Sequence, residues 1–507
     1  MYNQSSETLD SPETEIVVAD PGKAERQARG EPKVPEAQQD TRSSYLVALS
    51  PEEDPEYLAV SKKWLIVVCV STASLCATCA SSVAAFTETA VSQKLHVSEE
   101  VAILGVSLYV QGLGVGPLLV GPLSELYGRN IIYRVSFAFF FIFSWPVAFA
   151  PHIAVFLIFR FLTGFSGAAF LTIAGGSVSD LFTNDKVATP MALFTISPFI
   201  GPVLGPLISG FINQHTNWQW TYRVMLIWIF VQFACLLLFV PETYQPVLLK
   251  WKAQKLRKTT GDSRYYAPIE KQNQYNSLPR AILMSCYVPF KLLALDRMAL
   301  LLDLWNALIL GILYLAFQAF PIIFEEGHGF SVQMTGLTFL GIGVGMFIAL
   351  LTQPFWNGRF RAAAAKRNGD PPPEVRLVMG QVGAVLVPVS LYWLAFTTYP
   401  HVHWIVPIIA SVPFGTGILY CFTSTFTYLV TAYRPIAASA MAANTFVRTS
   451  FAAAFPLFAN QMYHTLGTVG ATALLAGLTT VSAPLPFIFY RIGARLREKS
   501  SFTQEPQ

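Results

Sequence analysis

Apolar runs of about twenty residues recur along this 507-residue chain, and no other feature limits its fold so tightly. A hydrocarbon core about 30 Å thick takes about 20 residues of helix to cross. Inside it helix is enforced, because no water satisfies an open backbone. Runs begin near Lys63, Val101, Asn130, Ile153, Val187, Trp220, Met298, Gln333, Leu377, Trp404, Pro435 and Thr468. They predict an all-α membrane protein with twelve transmembrane helices. Composition agrees: 53% hydrophobic and 13% charged residues, against about 25% charged in soluble domains, leave too little polar side chain to cover a water-exposed surface.

The pattern breaks once, between Pro241 and Arg297, where the chain is charged and turn-rich. The spans therefore divide into a six-helix bundle over 63–241, a linker over 242–297 and a second six-helix bundle over 298–490, an arrangement that suggests parallel repeats. Residues 1–62, poor in aromatics and rich in Glu, Ser and Pro, are expected to form a disordered tail; residues 491–507 form a C-terminal tail. No apolar run precedes Lys63, so the first span is expected to direct insertion without a cleaved leader. Lys and Arg concentrate at Lys62, Lys63, Arg129, Arg134, Lys186, the linker, Arg359, Arg361, Lys366, Arg367, Arg376, Arg434, Arg491, Arg495, Arg497 and Lys499, leaving only Lys94 and Arg223 in the opposite loops. Cytoplasmic loops carry such an excess, so both termini are read as cytoplasmic and the sequon at Asn3 as unglycosylated. All seven His residues fall in the loops on the other side.

The stretch "FTISPFIGPVLGPLISGFI", 194–212, holds Pro198, Pro202 and Pro206 with Gly201, Gly205 and Gly210. In water each interior Pro costs a helix about 3 kcal/mol and each Gly about 1 kcal/mol relative to Ala. In a bilayer the helix persists, and these residues give a face without side-chain bulk, suited to close contact and bending. The six Cys residues lie in spans or on the cytoplasmic side, where small buried packing residues are expected rather than disulfides, the C-x-x-C at Cys76 and Cys79 included. No phosphate-binding loop is present, and the glycine strings from Gly112 and Gly341 sit inside apolar spans with no strand before them. No nucleophile, base and orienting group converge, so no catalytic residue is assigned.

The turn "GPLSELYGRN", 121–130, is similar to the G-x-L-S-[DE]-x-x-G-R-[RK] signature of the major facilitator superfamily. "RFLTGFSGA" in the fourth span resembles the R-x-x-x-G element of its drug:proton antiporter branch of twelve-spanners, and "GPVLGPLISG" its antiporter motif. "DPEYLAVSKKW", "PETYQPVLLKWKAQKLRKTTG", "GILYLAFQAFPIIF" and "NTFVRTSFAAAFPLF" resemble fungal multidrug and polyamine exporters of that branch; the likeness covers about residues 52–500.

The resemblance implies a cytoplasmic gate at Gly121, Glu125, Gly128 and Arg129, with Glu125 held by the positive end of the eleventh span at Pro435. It places Gly201, Pro202, Gly205, Pro206 and Gly210 at the interface of the two bundles. Charged residues inside a membrane are costly and usually functional. Arg160 and Arg448 lie deep in spans four and eleven and match charged positions of the family; the residues alone equally admit a buried Arg capped by backbone carbonyls. With Gly164, Asp303, Asn306, Gln318 and Asn444 they form the candidate cavity and coupling set. Ser71, Ser74, Gln111, Trp305 and Tyr314 are further candidates for its wall, and Glu88 sits at the outer end of span one. Gln318 stands where relatives commonly carry Glu, which removes one candidate proton carrier.

The implied function is secondary active export of a small organic molecule by alternating access, in exchange for protons. An uncoupled facilitative importer and a non-transporting membrane ligand sensor are the alternatives. The expected partners are a small-molecule substrate, protons and the lipid bilayer, with no nucleic acid, no cofactor and no metal. A monomer in the plasma membrane is expected, with the vacuolar membrane as the other location.

Overall fold

The computed structural model describes residues 45–50, 52–183, 186–273, 278–366, 372–500 and 502. The expected disorder of residues 1–44, the sequon at Asn3 and the basic residue Arg367 lie outside the described residues.

The described chain is helical nearly throughout. Ten stretches long and apolar enough to cross a membrane are Val60–Leu95, Glu99–Tyr127, Arg129–Ala148, Ile153–Leu181, Thr189–His215, Gln219–Phe239, Arg297–Glu326, Val332–Ala365, Pro373–Ala395 and Ile405–Ala432, numbered here as spans 1 to 10. The next stretch, Ala437–Glu498, is 62 residues long, about three times what one crossing needs. It breaks at Gly467, whose φ of 72° and ψ of 166° only glycine adopts without strain. Span 11 ends and span 12 begins there. The twelve expected crossings are all present.

Both ends of the described chain lie on one face, called here the terminal face. The final helix, Leu485–Lys499, reaches back to it: Arg497 pairs with Glu374 before span 9 (2.9 Å), and Ser500 Oγ donates to Asp296 at the head of span 7 (2.5 Å). Residues 45–59 correct the expectation of a tail disordered up to residue 62. Val47 is buried with Ala253 and Ala267 of the linker, and Leu46 bridges to Tyr266. Lys252 Nζ donates to Glu53 at 2.5 Å and to the Ala48 carbonyl at 2.9 Å, and its hydrogen bond holds the Glu53 carboxyl down at about 2. A few apolar residues in a polar segment suffice to dock it when the linker offers a matching helix, here Gln245–Thr260.

Span 5 remains helical through its three interior prolines. The Phe194 carbonyl, which loses its amide partner at Pro198, accepts from Ser197 Oγ at 2.8 Å. Its glycines divide between two neighbours. A β-carbon at Gly201 or Gly205 would overlap Thr78 Oγ1 or Ser82 Oγ of span 1. At Gly210 it would lie 3.0 Å from the Val332 carbonyl of span 8, whose own Gly336 faces the Pro206 carbonyl. The sequence reading assigned all of these to the boundary between the bundles. Of the three glycines, only Gly210 faces a span from the second six.

Candidate functional site

Three clusters hold the residues singled out from the sequence. The first is on the terminal face, at the turn between spans 2 and 3. Gly128 ends span 2 with φ 100° and is packed so closely on Glu242 that a side chain there would collide with the carboxylate. That carboxylate organises the turn. Its Oε1 accepts from the amides of Arg129, Thr243 and Tyr244 (2.9, 3.0 and 2.9 Å) and Oε2 from Asn130 (3.0 Å). Span 3 thus starts with its first two orphan amides capped by a negative charge. Arg129 reaches Asp180 of span 4 (3.3 Å) and stacks on Tyr244 (4.7 Å). Glu125, by contrast, is exposed and makes no hydrogen bond or ion pair among the described residues, and Gly121 has open space around it. The expected contact from Glu125 to the start of span 11 is absent in this state. Glu242 and Asp180 were missed; the only available signal was a carboxylate placed right after Pro241 at the end of an apolar run.

The second cluster lies between spans 7, 10 and 11, with Asp303 six residues into span 7 and Asn444 seven residues into span 11 from the terminal face. Asp303 and Asn444 are fully buried, and Asn444 Nδ2 donates to Asp303 Oδ1 at 2.8 Å. Thr425 Oγ1 donates to Asn306 Oδ1 at 3.2 Å. On these residues and on Arg448 of span 11, four polar atoms are buried and unpaired among the described residues: Asp303 Oδ2, Asn306 Nδ2, Asn444 Oδ1 and Arg448 Nε. Each such group costs about 1–3 kcal/mol when left dry, so four of them together suit a polar occupant. Arg448 sits over Phe426 (5.0 Å) and Phe422 (5.7 Å) of span 10, and Phe199 of span 5 packs on the same Phe422 at 5.1 Å. The cation therefore borders an aromatic seam where first and second halves of the chain meet.

The third cluster is toward the opposite face. Gln318 Nε2 donates to Glu88 Oε2 at 2.6 Å, and Ser81 and Tyr314 share a hydrogen bond of 2.8 Å, each pair joining span 1 to span 7. A carboxylate thus stands at the level of Gln318 after all, supplied by span 1. Arg160 is engaged by three carbonyls, Gly105 (2.7 Å), Ala80 (2.8 Å) and Ser81 (3.2 Å), and lies 4.4 Å over Tyr109. This is the capped arginine the sequence left open: it ties spans 1, 2 and 4 and has no free face for cargo. Gly164 lets span 4 approach span 2, where a β-carbon would strike the Tyr109 carbonyl. Among the described residues no group of three or more His, Cys, Asp or Glu could hold a metal.

Known proteins resemble this chain in sequence and in fold. A family model described as Major Facilitator Superfamily matches residues 70–456. The chain is 45% identical over 471 residues to "Efflux pump atB" of Aspergillus terreus, covering 91% of this chain and 90% of the relative. It is 41% identical over 452 residues to "Probable drug/proton antiporter YHK8" of Saccharomyces cerevisiae, covering 89% and 88%. It is 38% identical over 441 residues to the "Major facilitator superfamily multidrug transporter mdrA" of Aspergillus fumigatus, covering 87% and 72%. Among solved structures it is similar in fold to the E. coli xylose transporter XylE in a partially occluded inward open conformation, with a TM-score of 0.59 at 15% identity over 85% of this chain and 99% of that one.

Proposed function

This chain belongs to the Major Facilitator Superfamily, and from that premise we propose that the cluster around Asp303 is where cargo and protons are exchanged. The protein is an efflux transporter of small organic molecules, as its relatives' names as efflux pumps and a drug/proton antiporter support. The observation that carries the site assignment is the set of unpaired buried polar atoms about Asp303, Asn306, Asn444 and Arg448, bordered by Phe199, Phe422 and Phe426.

A carboxylate with one oxygen bonded and the other free can take up a proton without losing its place. Loss of its charge beside the Arg448 cation changes what the cavity attracts. Proton entry from one side and cargo release to the same side then become alternatives at a shared site. Arg448 is the cation left available to cargo, Arg160 being occupied by carbonyls. The apolar seam suits a ring-bearing molecule and the polar band orients it.

The six-and-six organisation, with residues 63–241 and 298–490 as bundles rocking about this site, belongs to the same proposal, as do cytoplasmic termini, a monomeric state and a plasma-membrane location. The Lys and Arg excess on the terminal face supports the orientation.

Comparing what cells retain with and without the protein identifies cargo. That cargo is then loaded into proteoliposomes with and without a pH gradient. Asp303→Asn should leave the protein folded, and abolish gradient-driven movement while cargo exchange at equal pH persists. Gradient-driven transport at the unsubstituted rate in Asp303→Asn removes Asp303 from the coupling role.

A further inference from the structure

Away from the Asp303 cluster, spans 8, 9 and 10 and the final helix enclose a cavity of about 230 Å³ close to the terminal face. Its lining includes Trp356, Arg359, Phe360, Arg376 and Tyr490. Two of these present buried donors that no described residue satisfies, Trp356 Nε1 and Arg376 Nε. Arg376 lies flat on Phe360, with its guanidinium carbon 3.3 Å from the ring centroid, and forms no ion pair among the described residues. The neighbouring carboxylate does not neutralise it. Glu374 is taken by Arg497 through two bonds of 2.9 and 3.2 Å. Arg359, on the same wall, is also without an ion pair among the described residues. The cavity thus offers N–H donors and positive charge, and its lining holds neutral acceptors such as Gln353 and Asn357 and no carboxylate, at a site where an uncompensated cation is costly. The complementary occupant is an anion with several acceptor oxygens, which guanidinium groups bind in a fork.

Depth within the membrane selects the source of that anion. Arg376 stands three residues after the start of span 9 at Pro373, and Arg359 six before the end of span 8 at Ala365. At 1.5 Å per residue these are roughly 5 and 9 Å from the helix ends, the level at which headgroups meet acyl chains. On the side of the cavity nearer the bilayer centre, the same helices expose apolar residues, Leu351 (64%) and Phe355 (59%) on span 8 and Phe487 (42%) on the final helix. Arg361, Arg491 and Arg495 add exposed positive charge nearby. Basic pockets between helices at this level suit lipid headgroups.

We propose that this cavity holds the phosphate of an anionic phospholipid, with Arg376, Arg359 and the Trp356 indole N–H as donors and the acyl chains lying along Leu351, Phe355 and Phe487. The test uses the full chain, purified in detergent, stripped of lipid and offered equal amounts of phosphatidylserine and phosphatidylcholine, with retained lipid read by native mass spectrometry. Phosphatidylserine should be held preferentially, and Arg376→Gln should lower its retention about tenfold or more, the loss of one charge-assisted bond. Arg134→Gln, exposed in the first half, should not change it. Trp356→Phe, which removes the N–H and keeps an aromatic ring in the wall, should lower retention severalfold and carries the test if Arg376→Gln does not fold. Equal retention of the two lipids, or retention unaltered in these variants, overturns the proposal. Displacement of phosphatidylserine by millimolar inorganic phosphate overturns it in favour of a free-phosphate site.

Discussion

Glu242→Gln is the sharpest test of how the terminal face is held. The carboxylate takes three amides on Oε1 and one on Oε2. A glutamine can keep its oxygen where three N–H groups converge, and its NH2 then faces the Asn130 amide, donor against donor. Losing a hydrogen bond to a charged acceptor costs about 1.5–3 kcal/mol, and removing the charge from the first turn of span 3 a further 0.3–1 kcal/mol or so. The sum, about 2–4 kcal/mol, acts on a local opening, because the amides of Arg129 and Asn130 have no carbonyl within their own helix to fall back on. At about 1.4 kcal/mol per factor of ten, exchange of these two amides should accelerate by roughly 30- to 1,000-fold. Hydrogen exchange read by mass spectrometry on a peptide covering 121–134, in lipid nanodiscs, measures this directly. Acceleration of less than about threefold would show that the turn is held by Arg129 with Asp180 and Tyr244, and that the carboxylate is incidental.

Other perturbations separate the sequence reading from the packing. Gly205→Ala pushes a β-carbon into Ser82 and the Val83 amide and should cost on the order of 1–3 kcal/mol by overpacking, read as a lowered melting temperature in detergent. Gly121→Ala meets open space and should stay within about 0.5 kcal/mol of the unsubstituted protein; an equal loss in both would refute the packing account. Glu125→Gln should leave melting unchanged, since the side chain is free in this state. Any gating role must then emerge as altered accessibility of a cysteine placed in the inner cavity. His328, between spans 7 and 8, has its pKa pushed down by burial and by His403 nearby. A His that folding keeps neutral stabilises fully above its unfolded pKa of about 6.5 and loses that contribution as pH falls below it. Corrected for the intrinsic exchange rate, protection of the 324–332 segment should be lower at pH 5.5 than at pH 7.5, by more than in His328→Gln; an unchanged difference in the variant rules His328 out as the sensor.

The spans were legible because the bilayer allows a single solution for a run of twenty apolar residues, prolines included. Even the two crossings joined through Gly467 were separable in the sequence, since Thr468 begins a second apolar run. The capping of Arg160 was not, because its three acceptors are backbone carbonyls, which carry no sequence signature. Glu88 and Gln318 are 230 positions apart, so the carboxylate that offsets the Gln was invisible until span 1 met span 7. Glu242 was hidden for the opposite reason. It lies in a quoted motif, but its role is to cap a helix that begins 113 residues earlier.

The division of glycines on span 5 bears on how the proposed rocking can occur. Gly201 and Gly205 are locked against Thr78 and Ser82, where not even a methyl group fits, so span 5 must travel with span 1 as one body. The movable contact is the one with the second six, where Gly210 meets span 8 backbone to backbone and Val203 and Phe199 pack on Gly343 and Phe422. The polar ties across that boundary are few: Ser81 with Tyr314, Gln318 with Glu88, and His215 with Gln333 at 3.1 Å. At about 0.5–1.5 kcal/mol for each neutral bond, and about twice that for the bond to a carboxylate, they hold this state by a few kcal/mol. A reversal of a two-state population from 1:99 to 99:1 takes about 5.5 kcal/mol. The ties are therefore weak enough for the proposed cargo and proton binding at the Asp303 cluster to overturn.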